Sequence, residues 1–262
     1  MITYRRRHII TVGESWFAVD PPTGKPDIIH YRSLSDPIED SEEFTTIRID
    51  LNKPEEQLLS EMSKSTRHHI KKADEYGFRY ELWYPDVHAR LDEFFEFHDA
   101  SNTAKGLPRA DRFAIRAHAA CGVLDLSRVA DRDGNPLVWH GHYRGRTHAQ
   151  QTYTASVFRS RQESEFRTFL GRANRWGCWE DMKRFRREGI LTYDFGGWYS
   201  GKTNEQLLAV NFFKEGFGGK LAMTYLCTRP ATLLGRLYLW AADLRARSRG
   251  APGPLEGIGG ET

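Results

Sequence analysis

The 262-residue sequence predicts an α/β fold with a mixed, mostly antiparallel sheet flanked by helices, and three features predict it. Residues 124–156 hold three alternating segments, LDLSRVAD, PLVWHGHY and HAQQTYTAS, and the first turn between them contains Asp133-Gly134, a hairpin signal. Downstream, helix-period stretches at 162–188 and 204–215 alternate with the strand-like ILTYDFGG and KLAMTYLCT. Upstream, residues 7–50 read as a β-rich lobe, with three helical stretches and one further strand between it and the three strands.

The elements follow in order. HIITVG, SWFAVD, IIHYRSL and FTTIRIDL are strand-like, with PPTGKPD as a turn. Asn52, with Glu55 three residues on, caps a helix whose apolar positions are Leu58, Leu59, Met62, Ile70 and Ala73; residues 63–65 can divide it, and Gly77 ends it. FRYELWY is a strand. Val87, Leu91, Phe94, Phe95 and His98 space a second helix that closes near Gly106, and a third covers Asp111–Cys121. From Phe166 to Phe185 the apolar spacing is again helical, with Gly177 as a break point. Asn204 or Thr203 opens the next helix, and Gly216 or Gly218 closes it. Residues 230–248 form a last helix, and the Gly/Pro-rich 250–262 reads as a disordered tail.

Composition narrows the function classes. With 39% apolar and 13% aromatic residues, the chain can bury a core. No apolar run reaches the roughly 18 residues of a membrane span, and MITYRRRHIITVGESW has no apolar segment with a cleavage site, so it reads as carrying no export signal. Three cysteines at unrelated spacings fit a reducing cytoplasm better than a disulfide framework. A net charge of +3 does not by itself indicate a nucleic-acid partner, so local basic segments matter more.

The candidate chemistry centres on residues 192–220. Lys214 lies in the last turn of a helix and is followed by Phe217, Gly218 and Gly219. There it can stabilise a developing oxyanion, or it can simply complement the helix dipole while the glycines cap the helix. Asp194, at the end of a strand before two glycines, can orient or deprotonate an amine, or cap the turn. KSTRHHIKK, at 64–72, is a basic block in which Arg67 and Lys71 share one helical face; it suits phosphate contacts, or is a solvated face. Lys105 and Arg109 are expected in a loop between helices, where they can reach a phosphate or carboxylate, although ordinary loop chemistry accounts for them better. His140, His142 and His148 are conceivable as a metal cluster, but no carboxylate or cysteine stands beside them in sequence, so they are read as cleft-lining or surface strand residues and no metal is expected.

Taken together, YDFGG at 193–197, FKEGFGG at 213–219 and STRHHIKKADEYGF at 65–78 resemble the Fem family of peptidoglycan-bridge aminoacyltransferases, of the GNAT-like acyltransferase superfamily. The resemblance implies a GNAT-like domain at 79–228, a truncated first GNAT-like lobe at 1–78, a basic C-terminal helix at 229–249 and the tail. It implies Lys214 and Asp194 as catalytic residues, with Phe213, Phe217, Gly218, Gly219, Arg67 and Lys71 as substrate-binding ones, to which the loop cations Lys105 and Arg109 are added from the residues alone. It also implies an amide-forming transfer to an amine acceptor, which in the family is a peptidoglycan precursor and in so short a chain can equally be an amino sugar or a natural-product amine. The implied donor is aminoacyl-tRNA. Acyl-CoA enzymes of the superfamily hold the pyrophosphate on a glycine-rich loop, and here Arg159 to Ser164 fill both glycine positions with side chains. That disfavours coenzyme A, and basic residues from Arg159 to Arg187 become candidates for tRNA phosphates. An acyl-CoA or acyl-carrier-protein donor, and a non-catalytic module that binds RNA or a membrane, remain the alternatives. No cofactor and no stable protein partner are expected. The last helix carries Leu233, Leu234, Leu237, Ala241 and Leu244 on one side, and five arginines against Asp243 between Arg229 and Arg249. It can lie on the anionic inner membrane face or dock on the protein.

Overall fold

The computed structural model describes residues 2–6, 9–20, 24–157 and 164–248. In chain order these form β1 (Ile2–Arg6), β2 (Ile10–Trp16), β3 (Ile28–Leu34), β4 (Glu42–Asp50), α1 (Glu55–Glu61), α2 (Lys64–Ala73), β5 (Arg79–Trp83), α3 (Leu91–Lys105) and α4 (Arg112–Ala120). They continue with β6 (Leu124–Ala130), β7 (Pro136–Arg144), β8 (His148–Ser156), α5 (Ser164–Arg187), β9 (Thr192–Gly197), α6 (Glu205–Glu215), β10 (Lys220–Pro230) and α7 (Leu233–Ser248). The tail at 250–262 and most of the loop 159–164 lie outside the described residues.

The chain forms two compact units. One comprises Met1–Thr46, Gly197–Thr203 and Leu221–Thr262, and the other Ile47–Gly196 and Asn204–Lys220. Residues 47–78, assigned by sequence to the first lobe, thus belong to the second unit, while most of the last strand belongs to the first.

In the first unit the strands run β1-β2-β3-β10. β1 pairs antiparallel with β2, an element the sequence reading lacks. HIITVG and SWFAVD, expected as two strands, give the single β2, which ends where Phe17 takes φ 66°. α7 lays Tyr238 and Leu239 against Ile10, Val12 and Ile28, and its Gly235 lies where a Cβ would come within 1.9 Å of the Asp27 carbonyl oxygen.

In the second unit the order is β4-β9-β8-β7-β6-β5. The three predicted strands do form an antiparallel meander, with β5 added at one side. β8 and β9 pair parallel, so their connection must cross over a face, and α5 makes that crossover. Strand alternation sends Leu124, Leu126 and Trp139 to one face, against Phe94, Phe95, Ile115 and Ala119. Val129 and Val138 go to the other face, against Leu170 and Ala173 of α5. Helices thus cover both faces. Phe94, Phe95 and Trp139 are fully buried, each stabilising by roughly 1.5–3 kcal/mol. Gly177 does not break α5: a Cβ there would sit 2.7 Å from Val129 Cγ2, so this glycine lets helix and sheet approach.

Candidate active site

Both catalytic candidates lie in the second unit. Asp194 stands in register with Gln150 of β8. After it, Gly196 takes φ 71° and its N–H donates to Asp194 Oδ1 at 2.7 Å. Arg48 of β4 donates from Nε to Asp194 Oδ2 at 2.8 Å. The carboxylate is wholly buried and Arg48 partly so, so this acid faces protein donors and not solvent.

Helix α6 starts at Asn204, whose side chain accepts from the N–H groups of Gln206 and Leu207. A helix that only stabilised the fold would turn its apolar side inward. α6 departs from this: Asn211 and Lys214 are buried beside the half-buried Leu207 and Phe213, while Leu208, Val210 and Phe212 are exposed, Phe212 by 70%. Burial disfavours the Lys214 ammonium and brings its pKa down to about 8, although the Asp194 charge pulls the other way. His148, at the start of β8, is likewise lowered by burial and by Arg48, with Asp194 opposing. His148 and Lys214 are therefore electrostatically linked to Asp194, which stands inside β9 and not at its end as the sequence suggests, because the strand runs on through Gly197.

The segment after Lys214 has packing reasons for its composition. Phe217 is buried against Phe195 and Phe213, with ring centroids 4.9 and 5.4 Å away. Gly218 has φ 79° and presses on α1, where a Cβ would lie 2.4 Å from the Glu61 carbonyl oxygen; at Gly219 a Cβ would meet Ile47 and Arg48 of β4. These glycines bring backbone against backbone.

Two cavities hold Arg67, Lys71, Lys105 and Phe213. One, of about 420 Å³, is lined by Arg67 and Lys71 together with Trp176, Trp179, Glu180 and Lys183. Within it the Arg67 guanidinium also caps α1 through the carbonyls of Met62 and, at 3.0 Å, Ser60. The other, of about 320 Å³, is lined by Lys105 and Phe213 with Asn174, Arg175 and others. Arg109 is exposed in the loop after α3 and lines neither cavity, nor do Asp194 and Lys214.

Sequence reading missed the company the histidines keep. His140 and His142 are buried, not cleft-lining or on the surface. The carboxylates absent beside them in sequence arrive from α5 and β6: His140 Nδ1 meets Asp181 at 2.6 Å, and His142 Nδ1 lies 3.9 Å from Asp125. Among the described residues no cluster has the composition to hold a metal ion. Arg184, a candidate for RNA phosphates, is instead buried in a bidentate pair with Asp125 at 2.7 and 2.9 Å. Arg159 and Arg161 lie outside the described residues.

A meander followed by a parallel strand, with helices on both faces, is a GNAT-like fold, and solved structures share it. FemX superposes with a TM-score of 0.57 at 18% identity, over 74% of this chain and 63% of FemX. The C-terminal domain (DUF2156) of a putative lysylphosphatidylglycerol synthetase from Agrobacterium fabrum gives 0.53 at 13% identity, over 82% of this chain and 72% of that one. The chain thus spans less than two thirds of FemX, and at these identities the likeness is one of fold. No known family's sequence profile and no curated protein sequence matches the chain.

Proposed function

We propose that the chain is a Fem-like acyltransferase that forms an amide bond on an amine acceptor, with an aminoacyl-tRNA as donor. The observation that supports this most is helix α6, which holds a lysine of lowered pKa inward, within the electrostatic reach of a buried aspartate inside strand β9. Such a fold keeps a buried cation where it has a use, since burial alone disfavours it.

In this reading the neutral amine attacks the ester carbonyl carbon, the C–N bond forms, and the carbonyl oxygen becomes an oxyanion. The Lys214 ammonium stabilises that oxyanion. Collapse breaks the C–O bond to the donor's ester oxygen, which leaves as a hydroxyl by taking up, through solvent, the proton that the former amine nitrogen releases. Asp194, wholly buried between Arg48 and Gly196, acts by positioning the cations around it. Peptidoglycan precursors, amino sugars and natural-product amines are the acceptor classes the reading allows.

An anionic membrane face is proposed as a second partner, on the grounds of α7. Leu233, Leu237, Trp240 and Leu244 form an exposed stripe on it, and Arg236 and Arg245 are exposed as well. Among the described residues no helix is long and apolar enough to cross a membrane, so contact would be peripheral.

The test is a donor screen. The protein is incubated with a mixture of charged tRNAs or, separately, with acyl-CoAs, and a panel of amines is scanned for mass gain. Transfer from charged tRNA supports the reading. Transfer from acyl-CoA alone replaces its donor. Transfer from neither, with RNA or lipid binding intact, favours a non-catalytic module.

A further inference from the structure

We propose that the cavity beside Phe213 is a phosphate-binding subsite, which holds the donor's phosphate through Lys105, Arg167, Arg175 and the side-chain amide of Asn174; the assignment to a donor rests on the acyl-transfer reading above. Lys105 ends α3, and Arg167 and Arg175 lie about two turns apart on α5. Among the described residues no carboxylate lines the cavity. Arg175 sits with its guanidinium 4.9 Å from the Phe213 ring centroid, and its Nε is buried without a hydrogen-bond partner. Burial also disfavours its charged form. An anion between these cations would satisfy both the donor and the charge.

A buried network behind Asn174 determines which end of its amide faces the cavity. His140 Nδ1 lies 2.6 Å from Asp181 Oδ2 and Nε2 lies 2.8 Å from Asn174 Oδ1. A cationic imidazole donates from both ring nitrogens, to Asp181 Oδ2 and to Asn174 Oδ1. Tyr80 also donates to Asp181, at 2.6 Å. Burial disfavours the imidazolium, yet Cys178 and Asp181 together hold its pKa well above the usual value. With its oxygen committed to His140, Asn174 turns its N–H groups towards the cavity, as a phosphate requires. A chemical reason for side-chain donors lies in the sequence: Arg159 to Ser164 lack the glycines that would let backbone amides cradle a pyrophosphate.

Inorganic pyrophosphate is the probe, titrated into the full chain by calorimetry and followed by NMR at the Arg175 Nε–H and the Asn174 side-chain amide. The expected result is binding that shifts both signals. Arg175→Met, Asn174→Asp and the exposed double variant Lys105→Met/Arg167→Met are each expected to weaken it at least about tenfold, while Lys53→Met leaves it unchanged. The double variant alters only rim residues, so folding defects do not decide the outcome. Coenzyme A and a short single-stranded RNA, titrated as competitors, distinguish the source of the phosphate, and competition by neither overturns the donor assignment. Failure of pyrophosphate to bind, or equal binding by all variants, overturns the subsite. The two readings fail separately: Lys214→Ala is expected to lose turnover while binding pyrophosphate like the parent protein.

Discussion

Lys214 bears a charge where the fold disfavours one, and that has consequences besides catalysis. Its pKa falls from 10.5 to about 8 on folding, so between those values the unfolded chain binds more protons and stability rises with pH. Below about pH 8 the destabilisation is fully present. Lys214→Met is therefore expected to stabilise the protein by up to roughly 3 kcal/mol at pH 7, an advantage that shrinks above pH 8; urea unfolding at pH 7 and pH 10 measures it. Arg48 has the opposite sign. Arg48→Met leaves the wholly buried Asp194 without its ion pair and is expected to cost about 3–5 kcal/mol, and the double variant with Asp194→Asn should recover much of that in the same assay. Lys214 and Asp194 were legible because each stands beside a glycine turn in a recognisable motif. Arg48 was not: in FTTIRIDL it looks like an ordinary outward residue of an alternating strand, and its partner is 146 positions away.

Periodicity revealed most elements. The meander, its turns and the helices α3 to α6 are legible because apolar spacing and turn residues agree locally. Sequence failed where tertiary packing decides. Gly177 looks like a helix break yet exists for close approach, so Gly177→Ala is expected to cost about 1–3 kcal/mol by overpacking against Val129. Gly218→Ala should cost at least as much, since it combines a left-handed φ with a Cβ 2.4 Å from a carbonyl oxygen that a helix end holds in place. Thermal unfolding of both variants tests these values, and tolerance at Gly218 would contradict the close contact with α1. The buried polar residues of α6 escaped notice for a related reason: its apolar content suggested an amphipathic helix, and only the tertiary fold reveals that Asn211 and Lys214 face inward.

At the scale of the molecule, the chain combines two compact units whose membership interleaves along the sequence. Linear reading divided the chain into consecutive segments, at 78, 228 and 249, because it cannot detect that β10 returns to the N-terminal strands. The exposed stripe of α7 makes its own prediction: vesicles rich in anionic lipid should bind the protein, and Trp240→Ser with Leu237→Ser should lower binding about tenfold or more while leaving neutral vesicles unaffected. Catalysis is the central claim, and it depends on one ammonium. The most direct measurement is the single-turnover rate of amide formation from whichever donor is consumed, compared between the parent protein and Lys214→Ala at pH 7. The account predicts a loss of about 100-fold or more with the fold retained. A Lys214→Ala variant that turns over at the parental rate would contradict it.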